Sequence, residues 1–204
     1  MRVAEGARMG AITGDISGEI TVEQIVSVDG YAADDDGGIE FFQDVDFGDG
    51  GRIDHEQMGW LETVDAILLG RRTYEMFAAY WPHADPAVDA AAEPIARLPK
   101  HVFSNTLTQA PWGDGEIDVL RGDPVDAARD VAGRYGSTVV WGSLRLTDAL
   151  FEAGLVHVLR LRIIPVLLGT GRSFTPPTVH RARLQLESGV HHEAGIVTEQ
   201  YRVL

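Results

Sequence analysis

Apolar positions along the chain switch between two periods. Ile20, Val22, Ile25, Val26 and Val28 have the density of a buried strand, and the turn-forming pair Asp29-Gly30 stops it. After an acidic, Gly-rich loop, Met58, Trp60 and Leu61 fall on neighbouring helical positions, predicting a helix from near Ile53 or Asp54 to Thr63. Residues 66–69 are wholly apolar, as in a parallel strand covered on both faces, and Gly70 ends them. Tyr74, Phe77, Ala78 and Trp81 then recur at i, i+3, i+4 and i+7, predicting a helix opened near Thr73 and ended by Pro82.

The alternation continues. An Ala-rich helical stretch over 88–97 precedes strands over 101–104 and 117–120. Asp123-Pro124 reads as an N-cap with proline at the first helical position, and Val125, Ala128, Val131, Ala132 and Tyr135 mark the helix that Gly136 closes. A strand over 138–141 runs into Gly142-Ser143, where a helix begins with Leu146, Ala149, Leu150 and Ala153 inward. Leu159, Leu161 and Ile163 alternate with Arg160 and Arg162, and period-two segments around Leu184 and over 197–203 predict an edge hairpin. Strands alternating with helices, then consecutive strands, predict one α/β domain over 19–204, a mostly parallel sheet flanked by helices with an antiparallel C-terminal hairpin. Residues 1–18 are expected to form a disordered leader.

Composition changes this picture in a few places. A chain of 204 residues with 45% hydrophobic and 24% charged residues is that of a globular protein, and the absence of cysteine removes thiolate chemistry and disulfides. A net charge of −14 disfavours nucleic acid and anionic membranes as partners. It leaves small anions open, because screening confines exposed charges to about 8–10 Å. No apolar run approaches the roughly 20 residues of a membrane span, and the first residues lack a signal-peptide core, so a cytoplasmic protein is expected. Two calcium-like clusters in 34–51 lack the closing Glu, with Val45 and His55 in its place, and no metal is assigned. GxGxxG, P-loop, HExxH and GxSxG signatures are absent, and Gly169-Thr170-Gly171 is only half a dinucleotide fingerprint.

Three predicted strand ends carry small or polar residues: Gly70-Arg71-Arg72-Thr73, Ser104-Asn105-Thr106 and Gly142-Ser143-Leu144-Arg145. Singly, each Gly also reads as a helix cap and each Arg as a solvated residue. Together they suit a dinucleotide lying beyond the carboxyl ends of a parallel sheet, where helix N-termini offer free amides. The guanidinium groups of Arg71 and Arg72 match a 2′-phosphate, which favours NADPH over NADH.

The segments SVDGYAA (27–33), AILLGRRTYEMFAAYWP (66–82), HVFSNTL (101–107) and 139–174, with its PVLLGTG block, resemble the dihydrofolate reductase-like superfamily. Within it they are similar to stand-alone proteins related to the C-terminal reductase domain of the riboflavin-biosynthesis deaminase-reductase. The resemblance implies an NADPH-dependent reductase of a small heterocyclic (pterin- or pyrimidine-like) or carbonyl substrate, acting as a homodimer. It matches Gly70, Arg71, Arg72 and Thr73 to the turn holding the adenosine-side phosphates, and Ser104 and Asn105 to the strand end near the 2′-phosphate. Gly142 and Ser143, leading into Leu144 and Arg145, match a diglycine at the pyrophosphate. Serine replaces the second glycine there, and its hydroxyl can itself donate to phosphate. Asp54 matches a carboxylate early in the helix before the GRRT strand and is the first candidate proton donor. Asp29 is the second. Each has a structural reading too, Asp54 as a helix cap and Asp29 as a turn former. Tyr31, Phe41, Phe42 and Trp81 are candidates to stack on a flat substrate, or core residues. The Asp-Asp-Pro-Leu-Thr segment of the riboflavin enzymes and the Trp-rich entrance of true dihydrofolate reductases are both missing. The rival to a reductase is a catalytically silent nucleotide-binding module of the same fold.

Overall fold

The computed structural model describes residues 17–42, 45, 55–179, 181–192 and 194–204. The expected leader therefore lies almost wholly outside the described residues, as do Asp54 and most of the second acidic cluster. In chain order the strands are β1 (Glu19–Ser27), β2 (Tyr31–Ala33), β3 (Ala66–Gly70), β4 (Lys100–Phe103), β5 (Pro111–Trp112), β6 (Gly115–Glu116), β7 (Asp118–Leu120), β8 (Ser137–Trp141), β9 (Val158–Ile164), β10 (Arg172–Ser173), β11 (Leu184–His191) and β12 (Val197–Val203). The α-helices are α1 (His55–Leu61), α2 (Arg71–Tyr80), α3 (Ala92–Arg97), α4 (Pro124–Arg134) and α5 (Leu144–Glu152).

Eight strands form one sheet in the order β11-β12-β9-β1-β8-β3-β4-β7. From β9 to β7 every pairing is parallel, and β12 and β11 add an antiparallel hairpin beyond β9. This is the α/β architecture that the alternation of periods predicts.

Because side chains alternate across each strand, the sheet buries two apolar faces. Ile20 and Val22 of β1, Leu68 of β3 and Val140 of β8 pack under α4 and α5 through Ala128, Val131, Leu146 and Leu150. On the other face Ile67, Leu69, Val102, Val139 and Trp141 meet Leu61 of α1, Tyr74 of α2 and Ile95 of α3. Asp123 caps α4 as expected, its carboxylate accepting from the amides of Val125 (2.8 Å) and Asp126 (3.2 Å).

The structure differs from expectation at three places, each for a local reason. The 88–97 helix shortens to Ala92–Arg97, because Pro94 fits only a first turn, and an earlier start would set its ring against the Ala90 carbonyl. Helix α2 opens at Arg71 with Gly70 as its N-cap, so Thr73 is a buried first-turn residue instead of the opener. Arg160, which the alternation of β9 made a polar-face residue, is 1% exposed.

Burial pushes the imidazoles of His101 and His157 below their ordinary 6.5. His157 Nδ1 accepts the Ile20 amide at 3.1 Å, a bond its protonated form cannot make in the same way. Both groups bind a proton more weakly folded than unfolded. Their contribution is therefore complete above the unfolded value and is lost as pH falls from about 6.5 through the folded values. Urea midpoints should drop over this range, and His157→Gln should flatten the dependence. An unchanged pH profile in His157→Gln would contradict that role.

Candidate functional site

At the carboxyl ends of β3 and β8 the chain turns directly into helices, and the two turns are laced together. Gly142 (φ 51°) and Ser143 (φ 53°) both adopt left-handed backbone, a conformation costing a non-glycine residue roughly 1–2 kcal/mol. At Ser143 hydrogen bonds offset that cost. Its Oγ accepts from the Gly70 amide (2.7 Å) and donates to the Trp141 carbonyl (2.7 Å), while its own amide donates to Thr73 Oγ1 (2.9 Å). The close approach also explains the glycines. A Cβ on Gly70 would sit 3.2 Å from Ser143 Cβ, and one on Gly142 3.1 Å from Thr73 Oγ1. No side chain caps α2 or α5, in contrast to α4. Two adjacent helix N-termini thus keep first-turn amides and the positive ends of their dipoles without an internal acceptor from a cap.

The end of β4 joins this rim through Arg71. Its guanidinium binds Glu75 (2.7 Å) and reaches Thr106 Oγ1 (3.0 Å). Ser104 Oγ is consumed by the amides of Thr106 (3.2 Å) and Leu107 (3.1 Å), and the Asn105 side chain exchanges two bonds with Gly122 (3.0 and 2.7 Å). Arg72 and Arg145 are exposed and make no ion pair among the described residues. Arg72 leans towards the 34–38 turn, where a Cβ on Gly37 would lie 3.2 Å from its Nη1. The three strand ends are therefore brought to one edge of the sheet. One expectation changes: the Ser143 hydroxyl is spent inside the protein and is not free to donate to an anion.

The proton-donor and stacking candidates fare differently. Asp54 lies outside the described residues. Asp29 accepts from Ser27 Oγ (2.6 Å), the Gly169 amide (2.7 Å) and the Leu168 amide (3.2 Å). These bonds, the Ser27 hydroxyl first, hold its carboxyl below the usual range. A carboxylate kept ionised by three donors clamps the turn after β1 to the 166–171 segment, which favours the turn-forming one of its two readings. The same segment takes a bond from the Tyr31 hydroxyl to the Gly169 carbonyl (3.3 Å). Phe42 packs with Phe41, Ile164 and Ile196, whereas Trp81 packs edge-on against Phe77 (6.0 Å) in a different cluster. Phe42 and Trp81 thus belong to separate packing clusters, and Tyr31 is tied to the 166–171 segment.

Under the Gly142 turn lies a buried ionic cluster that the sequence pattern did not reveal. Arg160 Nε donates to Glu23 (2.7 Å), and its Nη2 to Glu56 (2.5 Å) and Gln57 (2.9 Å). The Trp141 indole donates to Glu23 (3.0 Å), and Trp60 stacks with its ring centroid 4.5 Å from the guanidinium carbon. Desolvation opposes the charge on Arg160, but Glu56 and Glu23 outweigh it and raise its pKa. The available signal was Glu23-Gln24, two polar residues inside an apolar strand. The Glu23 carbonyl also accepts the Gly142 amide (3.2 Å), so the cluster braces the end of β8.

Two hollows lie elsewhere: one of about 380 Å³ beside Lys100, His101 and Trp112, and one of about 230 Å³ between Phe151, Phe174 and Leu184. Burial pushes Lys100 down to about 8, and its ammonium is occupied by the carbonyls of Leu98 (2.6 Å) and Ala96 (3.1 Å). The laced rim has the better chemistry for an anion, because its open groups are first-turn backbone amides and two guanidinium groups that make no ion pair among the described residues.

The RibD C-terminal domain family matches residues 19–198, nearly the whole sheet. The chain belongs to this family. YyaP of Bacillus subtilis (strain 168), an uncharacterized protein, is 23% identical over 186 residues, covering 89% of this chain and 93% of its own. The crystal structure of a putative riboflavin biosynthesis protein from Shewanella sp. PV-4 superposes with a TM-score of 0.73 at 21% identity, over 91% of this chain and 99% of that one. Dihydrofolate reductase from Enterococcus faecalis, complexed with NADP(H) and RAB-propyl, does so at 0.57 and 17% identity, over 92% and 98%. At these identities the likeness is one of fold, and this RibD C-terminal domain has the dihydrofolate reductase-like fold. Among the described residues no helix is long and apolar enough to cross a membrane.

Two substitutions test the site's construction. Arg160→Met strands the carboxylate of Glu23, itself 5% exposed, and should cost about 3–5 kcal/mol in urea unfolding. A loss under about 1 kcal/mol would show the cluster to be energetically idle. Ser143→Ala leaves the Gly70 amide and Trp141 carbonyl unpaired and should cost about 1–3 kcal/mol by the same measurement. No loss would mean that the lacing does not hold the two turns.

Proposed function

We propose that this RibD C-terminal domain is an NADPH-dependent reductase that transfers a hydride to a small heterocyclic (pterin- or pyrimidine-like) or carbonyl substrate. The observation that carries the reading is the pair of uncapped helix N-termini, α2 and α5, laced through Ser143, Gly70 and Thr73 beside the cation Arg72, which makes no ion pair among the described residues. The first-turn amides of Arg71–Thr73 and of Leu144 and Arg145 suit a pyrophosphate, since a helix N-terminus presents donors and a positive dipole end together, while the Gly70, Gly142 and Ser143 amides are spent in lacing the turns. Glycine at 70 and 142 keeps this rim bare enough for close approach. Arg72 is free to pair with a 2′-phosphate, whereas Arg71 is already engaged with Glu75 and Thr106. The NADP(H) complex of the Enterococcus dihydrofolate reductase, on a similar fold, agrees with this choice.

A reduced nicotinamide, when bound, supplies the hydride. The protein's part is to bind, to orient and to manage the accompanying proton. Asp29, held ionised, serves orientation by anchoring the 166–171 segment over the end of β1. The proton then comes from Asp54 or from water. The engagement of Asp29 also favours, as a second reading, a nucleotide-binding module without turnover.

Arg72→Ala should weaken NADPH by about 10- to 150-fold, the equivalent of a charged hydrogen bond worth 1.5–3 kcal/mol, and NADH far less. Fluorescence titration measures both. Equal losses for the two nucleotides would remove Arg72 from the 2′-phosphate. Reduction of pterin, pyrimidine or carbonyl compounds with loss of NADPH absorbance separates the reductase from the silent module.

A further inference from the structure

The Gly142–Ser143 peptide is held at both ends by side chains from different elements. Its carbonyl accepts from Gln24 Nε2 at 2.6 Å, and its amide donates to Thr73 Oγ1 at 2.9 Å. Gln24 lies in β1, is 2% exposed and interrupts an otherwise apolar strand face. A buried amide in that place is costly unless it is bonded, and this bond is to the turn. With both flanking residues left-handed, the soft motion of such a turn is rotation of the peptide plane between them, which exchanges the directions of its carbonyl and its amide.

We propose that Gln24 is a positioning residue of the pyrophosphate turn, fixing the Gly142 carbonyl towards β1 so that it cannot swing out and oppose bound phosphate. The inference rests on the nicotinamide reading of the rim. Gln24 touches neither cofactor nor substrate; it acts through one peptide. An outward carbonyl would set a partial negative charge against the phosphates in place of the helix's positive end, so the loss of this bond falls on nucleotides that carry a pyrophosphate.

The full chain is titrated with NADPH and with adenosine 2′-monophosphate, which lacks the pyrophosphate, and thermal unfolding is followed in parallel. Gln24→Met keeps the volume and removes the donor. It should weaken NADPH about three- to tenfold and leave adenosine 2′-monophosphate unchanged. Gln24→Glu gives a second signature, because a protonated carboxyl can donate to the Gly142 carbonyl and an ionised one cannot. Its NADPH affinity should recover towards wild type as pH falls, relative to wild type at the same pH. Should Gln24→Met not fold, that pH series decides. Equal losses for both nucleotides, a lowered melting temperature with unchanged NADPH affinity, or no pH recovery in Gln24→Glu would overturn the proposal. Wild type that binds neither nucleotide overturns the cofactor reading and this proposal with it. Wild type that binds both, matched by Gln24→Met, overturns this proposal alone.

Discussion

Where β8 ends, a single serine ties three pieces of the sheet's upper edge together. Ser143 gives up a comfortable backbone conformation, and in return its hydroxyl and amide reach Gly70, Trp141 and Thr73. Without those bonds the N-termini of α2 and α5 would be two independent loops. With them, they form one surface of backbone donors whose spacing is set by the interstrand distance. The glycines at 70 and 142 follow from the same constraint, since a side chain at either would push the turns apart.

Beneath that edge, the Glu23–Arg160–Glu56 cluster has an energetic character of its own. Burying an ion pair costs several kcal/mol per ion in desolvation, so such a cluster is poor evidence for stability. It is better understood as a specificity device. Arg160 fits only when β1, α1, β8 and Trp60 are all in place, and a slip in register would leave a bare charge in the core. The cluster meets the rim at Trp141 and at the Glu23 carbonyl, so packing of α1 and geometry of the Gly142 turn are parts of one construction.

The protein as a whole is strongly acidic, yet the rim carries Arg72 and Arg145, which make no ion pair among the described residues. There is no contradiction, because exposed charges beyond about 10 Å are screened while a guanidinium beside a helix N-terminus acts at contact distance. The net negative field repels large polyanions, and the local groups act on a small anion once it is within screening range.

Order and type of the main elements were legible from the sequence, because period two and period 3.6 are local properties and the punctuating residues act on their own backbone. Gly70, Asp123-Pro124 and Gly142 stand at element boundaries where the sequence placed them, Gly142 by its left-handed backbone and Asp123-Pro124 by capping. The three rim segments were legible for the same reason: small residues after a buried strand can be counted without knowing neighbours. What tertiary structure alone decided was which side chains face one another. Arg160 showed in the sequence only as a polar residue alternating with apolar ones, and alternation reports the side of a strand, not whether a helix covers that side. Asp29 and Ser143 looked available because their partners, at 168–169 and at 70, lie far away in sequence. Gln24 acquires its partner, the Gly142 carbonyl, only when β8 lies beside β1. A residue's conformational preference travels with it along the chain, but its partner is chosen only when the sheet closes.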